Sequence, residues 1–369
     1  MRRLLLLLAL CAFTVAAAPA PSGWTMFRGN PQQTGLAEGE LPADLKPLWT
    51  FKAGDAISST AAIADGTVWV GSLDGNLYAL DLASGKLRWK YKAADAVKSS
   101  PSVKGGVVYF GDSKGTFHAL DAKTGKVRWT FATEGEIVSS ATFAAGCVLF
   151  GSYDQSLYCL GERDGKLRWK LETDGYVHGT PAVAGDTVIS SGCDGFLRIV
   201  RAQDGKELRQ VSLGGYVAAS PAVSGNRAFL GSFENQVLGV DLAAGTVLWR
   251  FEHPVRQFPF YASAAVSGDK VIVGGRDQTI RALDAATGKE VWSFAARSAV
   301  DSSPVVAGQR VFAGSKSGAI FGLDAATGKQ AWRFEAGASV EASPAIAAGR
   351  LVIGTMDGTL YCFGATGAK

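Results

Sequence analysis

Tryptophan recurs at Trp49, Trp89, Trp129 and Trp169, then at Trp249, Trp292 and Trp332. The spacing is 40 residues, with one step of 80 and one of 43. A glycine stands four residues before each of them except the first: Gly85, Gly125, Gly165, Gly245, Gly288 and Gly328. The vacant position, four after Gly205, holds Arg209. A second column is as regular: Ala61, Pro101, Ala141, Pro181, Pro221, Ala264, Pro304 and Pro344, each preceded by Ser or Thr from Thr60 to Ser343. A fixed period of this length means one supersecondary unit repeated, each copy burying its apolar face against the next.

The unit reads as four strands. In residues 99–131, SSPSV is strand A, VVYFG strand B, TFHAL strand C and VRWTF strand D, separated by Gly-centred turns. Alternating apolar and polar residues between such turns are hairpin chemistry. Glycine supplies 46 of 369 residues, which favours tight turns over long helices. Four-stranded units of about 40 residues are propeller blades. The eighth repeat ends at strand C, LYCF (360–363), without a Trp strand, and PLWTF (47–51) is a Trp strand without a blade. The two should share a blade, so the reading is an all-β, single eight-bladed β-propeller closed by its N-terminal strand, a monomer without free sheet edges.

The expected boundaries are a secretory signal at 1–17, an N-terminal extension at 18–44, the propeller at 45–364 and a tail at 365–369. Arg2 and Arg3, the Leu-rich run from Leu4 and the alanines at 16–18 have the three parts of an export leader, with an apolar stretch too short to be an anchor. Export to the periplasm or beyond is expected. Cys11 raises lipidation as a rival, but Leu10 fills a position where lipoprotein signals carry a small residue. No other segment is apolar enough to span a membrane. The net charge of +4 includes the two leader arginines, which argues against a nucleic-acid partner. The extension, residues 24–44, should pack outside the ring.

The run WTMFRGNPQQTG (24–35), followed by repeated LDAxTGKxxW, resembles the pyrroloquinoline-quinone-type (PQQ-like) propeller repeat family. The resemblance implies the eight-bladed fold. It leaves three functions open, because the family includes quinone-dependent dehydrogenases, the propeller of the outer-membrane protein assembly machinery, and ligand sensors.

A feature present in nearly every blade is architecture. The Trp column is therefore inter-blade packing, and the Ser/Thr column hydroxyls meet backbone near the axis. Counting from the C–D turn places His118 opposite Trp129 and Arg281 opposite Trp292, an aromatic pair and a cation–π pair. The three histidines fall in three blades, so no metal site is expected, and no Ser has a base beside it, so no catalytic residue is assigned. Cys159 and Cys362 share one column five blades apart, and Cys147 and Cys193 lie at opposite ends of neighbouring blades, so no disulfide is expected.

Three departures from the repeat are candidates for function. The column three before the strand-A Pro/Ala position reads Ser58, Lys98, Val138, His178, Ala218, Tyr261, Asp301 and Glu341. Alternation sends it to the mouth of the central channel, as a binding ring or as a solvated rim. The insertion HPVRQFPFY (253–261) brings Arg256, Phe258 and Tyr261, with Phe260 in the core. Tyr176 and Tyr216 hold equivalent places on the two preceding blades, and aromatic and Arg clusters are what interface anchors look like. In blade four, Arg198 and Arg209 take the places of an aromatic and a Trp, and Arg201 that of an Asp. Opposed arginines would need an anion, a carboxylate or water, unless the blade has merely drifted.

The partner- or ligand-binding candidates are thus Lys98, Tyr176, His178, Tyr216, Arg256, Phe258, Tyr261, Asp301 and Glu341. The expected function is a non-catalytic scaffold for a protein partner in the cell envelope, with a ligand-sensing propeller as the alternative. A second alternative, a dehydrogenase using PQQ with calcium, would draw on Asp301 and Glu341. Against it stand the short loops and the absence of the adjacent cysteine pair and CxxCH haem site that such enzymes often carry.

Overall fold

The computed structural model of the protein describes residues 23–366. The expected leader, including Cys11, lies outside the described residues. Eight antiparallel blades of four strands follow one another in chain order, and blade 7 gains a fifth, parallel strand from the extension. Blade 1 is Ala62–Ala64 (strand A), Thr67–Gly71 (B), Asn76–Asp81 (C) and Leu87–Lys92 (D). Blades 2 to 7 repeat it. In blade 8, strands Ala345–Ala347, Arg350–Gly354 and Thr359–Gly364 are completed by Lys46–Lys52. The closing pair is antiparallel, with Trp49 opposite Cys362 and Phe51 opposite Leu360.

Strands A are innermost and meet one another around the ring. They are stitched by the Ser/Thr column. The Thr60 amide donates to the Ser100 hydroxyl at 2.9 Å, Ser100 to Ser140, Ser140 to Thr180, and so on through Ser303 to Ser343. Each hydroxyl satisfies a backbone donor that the short strands leave open at the axis.

Further out, the Trp and Gly columns explain each other. Gly125 sits in the C–D turn at φ +71, and a Cβ there would lie 2.7 Å from the indole of Trp89 on the preceding blade. The turn needs glycine's left-handed conformation and the neighbouring indole needs its missing side chain. Each repeat Trp also donates its Nε1 to a carbonyl one blade on, as Trp169 does to Ala202 at 3.0 Å. Burial of each indole contributes on the order of 4–6 kcal/mol as an upper estimate.

The expected register is off by one. Strand D carries a bulge just before its Trp, between Leu87 and Trp89 in blade 1. Trp89 therefore faces Ala79, Trp129 faces Ala119 and Trp292 faces Ala282. His118 faces Thr130 instead, and packs on Tyr91 of the previous blade at 5.5 Å while its Nε2 bonds Asp112 at 3.0 Å. Its role is structural, with different partners from those expected. Arg281 lies over Phe251 and Phe260, 5.0 and 5.7 Å from their centroids, and pairs with Asp277. A bulge moves every later side chain to the other face, which a count from the turn does not register.

The extension does not lie outside the ring. Residues 24–37 run across the inner strands and close the channel. The carbonyls of Thr25, Pro31, Gln32, Thr34 and Gly35 accept from Val103, Val183, Val223, Val266 and Val306, and Leu36–Ala37 pairs parallel with Val306 and Ala307. Arg28 is fully buried near the axis and donates to the carbonyls of Ala264, Ser303 and Pro304 at 3.0, 3.1 and 2.5 Å. Burial pulls its guanidinium down to about 9.

A disulfide joins Cys147 to Cys159, contrary to expectation, with Cα atoms 5.4 Å apart. Cys147 faces Gly161, so Cys159 is its diagonal neighbour across the B–C ladder of one blade. Comparing columns between blades passes over a diagonal within one. Cys193 and Cys362 are free.

The blade-four arginines are not opposed either. Arg198 faces Gln210 and Arg209 faces Ile199. Arg198 pairs with Asp194 at 2.5 Å and Glu207 at 3.0 Å, and Arg201 with Asp204 at 2.9 Å. Arg209 packs where a Cβ on Gly245 would fall and donates to the Ala243 carbonyl, much as the absent Trp would. Carboxylates and carbonyls satisfy all three.

Candidate functional site

The channel opens at the end carrying the D–A and B–C loops. It is a funnel of about 340 Å³. All eight residues of the variable column line it, Ser58, Lys98, Val138, His178, Ala218, Tyr261, Asp301 and Glu341, as alternation predicts. The Ser/Thr ring lies below them, and Phe27 from the extension forms the floor.

The wall carries matched charges. Asp301 accepts from Arg276 Nε and Nη2 at 2.9 and 2.8 Å, a two-bond fork, and from Lys316 at 3.0 Å. Lys316 also reaches Glu341 at 3.4 Å. Burial would raise the Asp301 carboxyl, but these two cations outweigh it and hold it below the ordinary carboxylate range. Arg276 lies 3.6 Å above the Tyr261 ring, and Tyr261 meets Phe233 edge-on at 4.6 Å. Across the funnel, Lys98 pairs with Glu136 at 2.7 Å. His178 Nδ1 meets the Tyr153 hydroxyl at 2.6 Å. Burial holds the imidazole below its usual value, which favours its neutral form, and pushes Tyr153 up to about 12.

The structure thus brings Lys98, His178, Tyr261, Asp301 and Glu341 together and leaves Tyr176, Tyr216, Arg256 and Phe258 outside on the rim. Phe260 is buried, as expected, while Tyr261 is half-buried in the funnel wall. Arg256 donates to the Asp277 carbonyl at 3.0 Å. Tyr176 stacks on Tyr153 at 4.6 Å yet stays 49% exposed, Tyr216 is 61% exposed and Phe258 48%. These three stand on successive D–A loops and form one aromatic sector.

Sequence reasoning missed Phe27, Glu136, Tyr153, Arg276 and Lys316. Three of them form a second variable column in the B–C turns: Leu73, Ser113, Tyr153, Cys193, Phe233, Arg276, Lys316 and Met356. Reading departures in that column would have found them. Phe27 lies in the one segment without a repeat.

A calcium-held quinone needs free carboxylate oxygens, and the funnel's two candidates are already bonded to Arg276 and Lys316. Among the described residues, no three His, Cys, Asp or Glu side chains converge at one point. The donor set does not fit that group. Nor, among the described residues, is any helix long and apolar enough to cross a membrane.

Known structures share this architecture at low identity. The computationally designed Ika8 protein aligns with a TM-score of 0.77 at 20% identity, covering 87% of this chain and 100% of its own. BamB from Moraxella catarrhalis aligns at 0.74 and 19%, covering 88% and 99%. Quinohemoprotein alcohol dehydrogenase from Comamonas testosteroni aligns at 0.80 and 14%, covering 94% and 81%. At such identities the likeness shows the fold alone. No curated protein matches the chain. A family profile described as outer membrane protein assembly factor BamB matches residues 42–145, 133–250 and 276–369, most of the propeller. On that match the chain belongs to the BamB family of PQQ-like propellers.

Proposed function

We propose that this chain is a non-catalytic, exported scaffold that binds a protein partner in the cell envelope, in outer-membrane protein assembly. The observation that carries the reading is the aromatic sector of the rim: Tyr176, Tyr216 and Phe258, large and exposed on adjacent loops, with Arg256 beside them. Exposed aromatics over a rigid ring lose little entropy on binding and make good anchors. The family match and the Cys147–Cys159 disulfide, which suits an oxidising compartment, support it. A photo-crosslinker at Tyr216 should trap a component of the outer-membrane assembly machinery in cells. Phe258→Ala should abolish the adduct and leave thermal unfolding unchanged. An undiminished adduct from a folded variant refutes the sector as the interface.

The funnel favours a second reading, a small-ligand site formed by Lys98, His178, Tyr261, Asp301 and Glu341 over Phe27. Calorimetric titration with pyrroloquinoline quinone, with and without calcium, tests the enzymatic form of it. Saturable binding would revive a dehydrogenase and overturn the non-catalytic reading.

A further inference from the structure

At the opposite end of the ring, where the A–B and C–D turns lie, a groove of about 620 Å³ opens between blades 1 and 2. Trp69 and Trp89 line its depth, with Arg88 and Arg128 beside them. The repeats show why it is wider than its neighbours. In the next groove, between blades 2 and 3, Lys104 bonds Glu162 at 2.7 Å and the Tyr109 hydroxyl reaches the Glu162 carbonyl at 3.2 Å, which narrows it to about 420 Å³. Blade 1 has Ala64 in place of Lys104, and blade 2 has Ala122 in place of Glu162. A third position also narrows grooves elsewhere. Arg227 reaches the Ala285 carbonyl at 3.3 Å and Arg310 the Pro42 carbonyl at 2.7 Å, whereas their counterpart here is the short Thr67.

The open groove has unmet polar demand. The indole Nε1 of Trp69 is buried without a hydrogen-bond partner, although its counterpart Tyr109 finds one. A buried N–H without an acceptor costs free energy that a ligand oxygen recovers. At the mouth, the Asp65 carboxylate and the Lys123 ammonium make no ion pair among the described residues. Arg88 and Arg128 are held by Asp81 and Asp121 at 2.7 and 2.8 Å.

We propose that this groove binds a saccharide of one or two rings. The volume lies in the range of about 300–1,000 Å³ usual for small-molecule sites. Sugar rings have flat C–H faces that shed water against indole and a rim of hydroxyls that both donate and accept. A hydroxyl or amide oxygen accepts from Trp69 Nε1 and Lys123, and hydroxyls donate to Asp65. A hydrocarbon would leave the Trp69 N–H unpaired, and a planar anion would face the Asp65 carboxylate. The site lies at the other end of the ring from the aromatic rim and does not depend on the scaffold reading.

The test is tryptophan fluorescence titration with N,N′-diacetylchitobiose, cellobiose and maltose, with adenosine monophosphate as the planar-anion control. At least one disaccharide should give saturable quenching. Trp69→Phe, a residue that the equivalent positions Phe229 and Phe312 already carry, should weaken it about tenfold through loss of the N–H donor. Ala64→Lys with Ala122→Glu, which rebuilds the Lys104–Glu162 bridge and narrows the groove, should weaken it at least tenfold without lowering the unfolding temperature. No quenching by any disaccharide, binding of the nucleotide alone, or undiminished binding by the folded double variant each overturns the proposal.

Discussion

Blade four offers a quantitative test of how this ring packs. Opposite the strand-D Trp, seven blades carry a small residue: Ala79, Ala119, Cys159, Gly239, Ala282, Gly322 and Cys362. Blade four, with Arg209 in place of Trp, carries Ile199 there, and Ile199 is only 7% exposed. The isoleucine fills the volume that the indole vacated. Ile199→Ala alone should cost about 2–4 kcal/mol, since a thin Arg side chain cannot fill the cavity. Arg209→Trp alone should cost about 1–3 kcal/mol by overpacking against the isoleucine. Both together rebuild the pair found in the other blades and should lie within about 1 kcal/mol of the parent, a coupling of about 2 kcal/mol or more. Urea unfolding of the four proteins, followed by fluorescence and circular dichroism, measures it. Additivity within about 0.5 kcal/mol would refute the volume exchange.

Three further outcomes follow from the structure. Replacing Cys147 and Cys159 by Val and Ala, the residues that blade 2 carries as Val107 and Ala119, should cost about 3 kcal/mol by the loop-entropy relation for a separation of 12 residues, and reduction of the parent should cost as much; four reactive thiols in the denatured, unreduced protein lacking its leader would refute the bond. Asp301 is held below its ordinary value, so the stability from its ion pairs is fully present above its unfolded pKa of about 4 and is lost as pH falls through the folded one; Asp301→Asn should flatten the acid limb of a Tm-versus-pH curve, and an unchanged limb would remove the carboxylate from that role. Gly125→Ala combines left-handed strain with the Trp89 contact and should cost well over 2 kcal/mol, whereas Gly105→Ala, at φ +57 with open space around it, should cost only about 1 kcal/mol; equal losses by thermal unfolding would refute the Gly–Trp packing.

The ring itself was legible because periodicity exposes it. The Trp and Ser/Thr columns count the blades, the unpaired PLWTF and LYCF strands name the closure, and alternation places all eight funnel residues. What was not legible depends on geometry within a single copy. The bulge before each Trp adds a residue that no turn signal announces, so His118 and Arg281 were given the wrong neighbours. The Cys147–Cys159 bond is a diagonal inside one hairpin. The path of residues 24–37 through the axis has no second copy to compare with, and its anchors are backbone carbonyls, which carry no side-chain signature. Asp301 was found, but its partners Arg276 and Lys316 sit on different loops.

The departures from the repeat divide by whether the structure answers them. The loss of a Trp at Arg209 is met by the gain of Ile199, and the excess charge of Arg198 by Asp194 and Glu207. A compensated departure leaves the same packed blade, so it carries no site. The losses at Ala64, Thr67 and Ala122 are met by nothing: the volume stays open, and an indole N–H at its base stays unpaired. Close packing and buried-polar satisfaction are the rule inside a folded chain. A place where the groove is widest and a buried N–H is left unpaired, while in the next groove Lys104 and Glu162 narrow the space and the Tyr109 hydroxyl is bonded, is where a ligand supplies the missing atoms. The same criterion separates the two readings of the rim. The funnel's charges answer one another within the chain, while Tyr176, Tyr216 and Phe258 remain exposed, and that is the ground for placing the partner on the aromatic sector rather than in the channel.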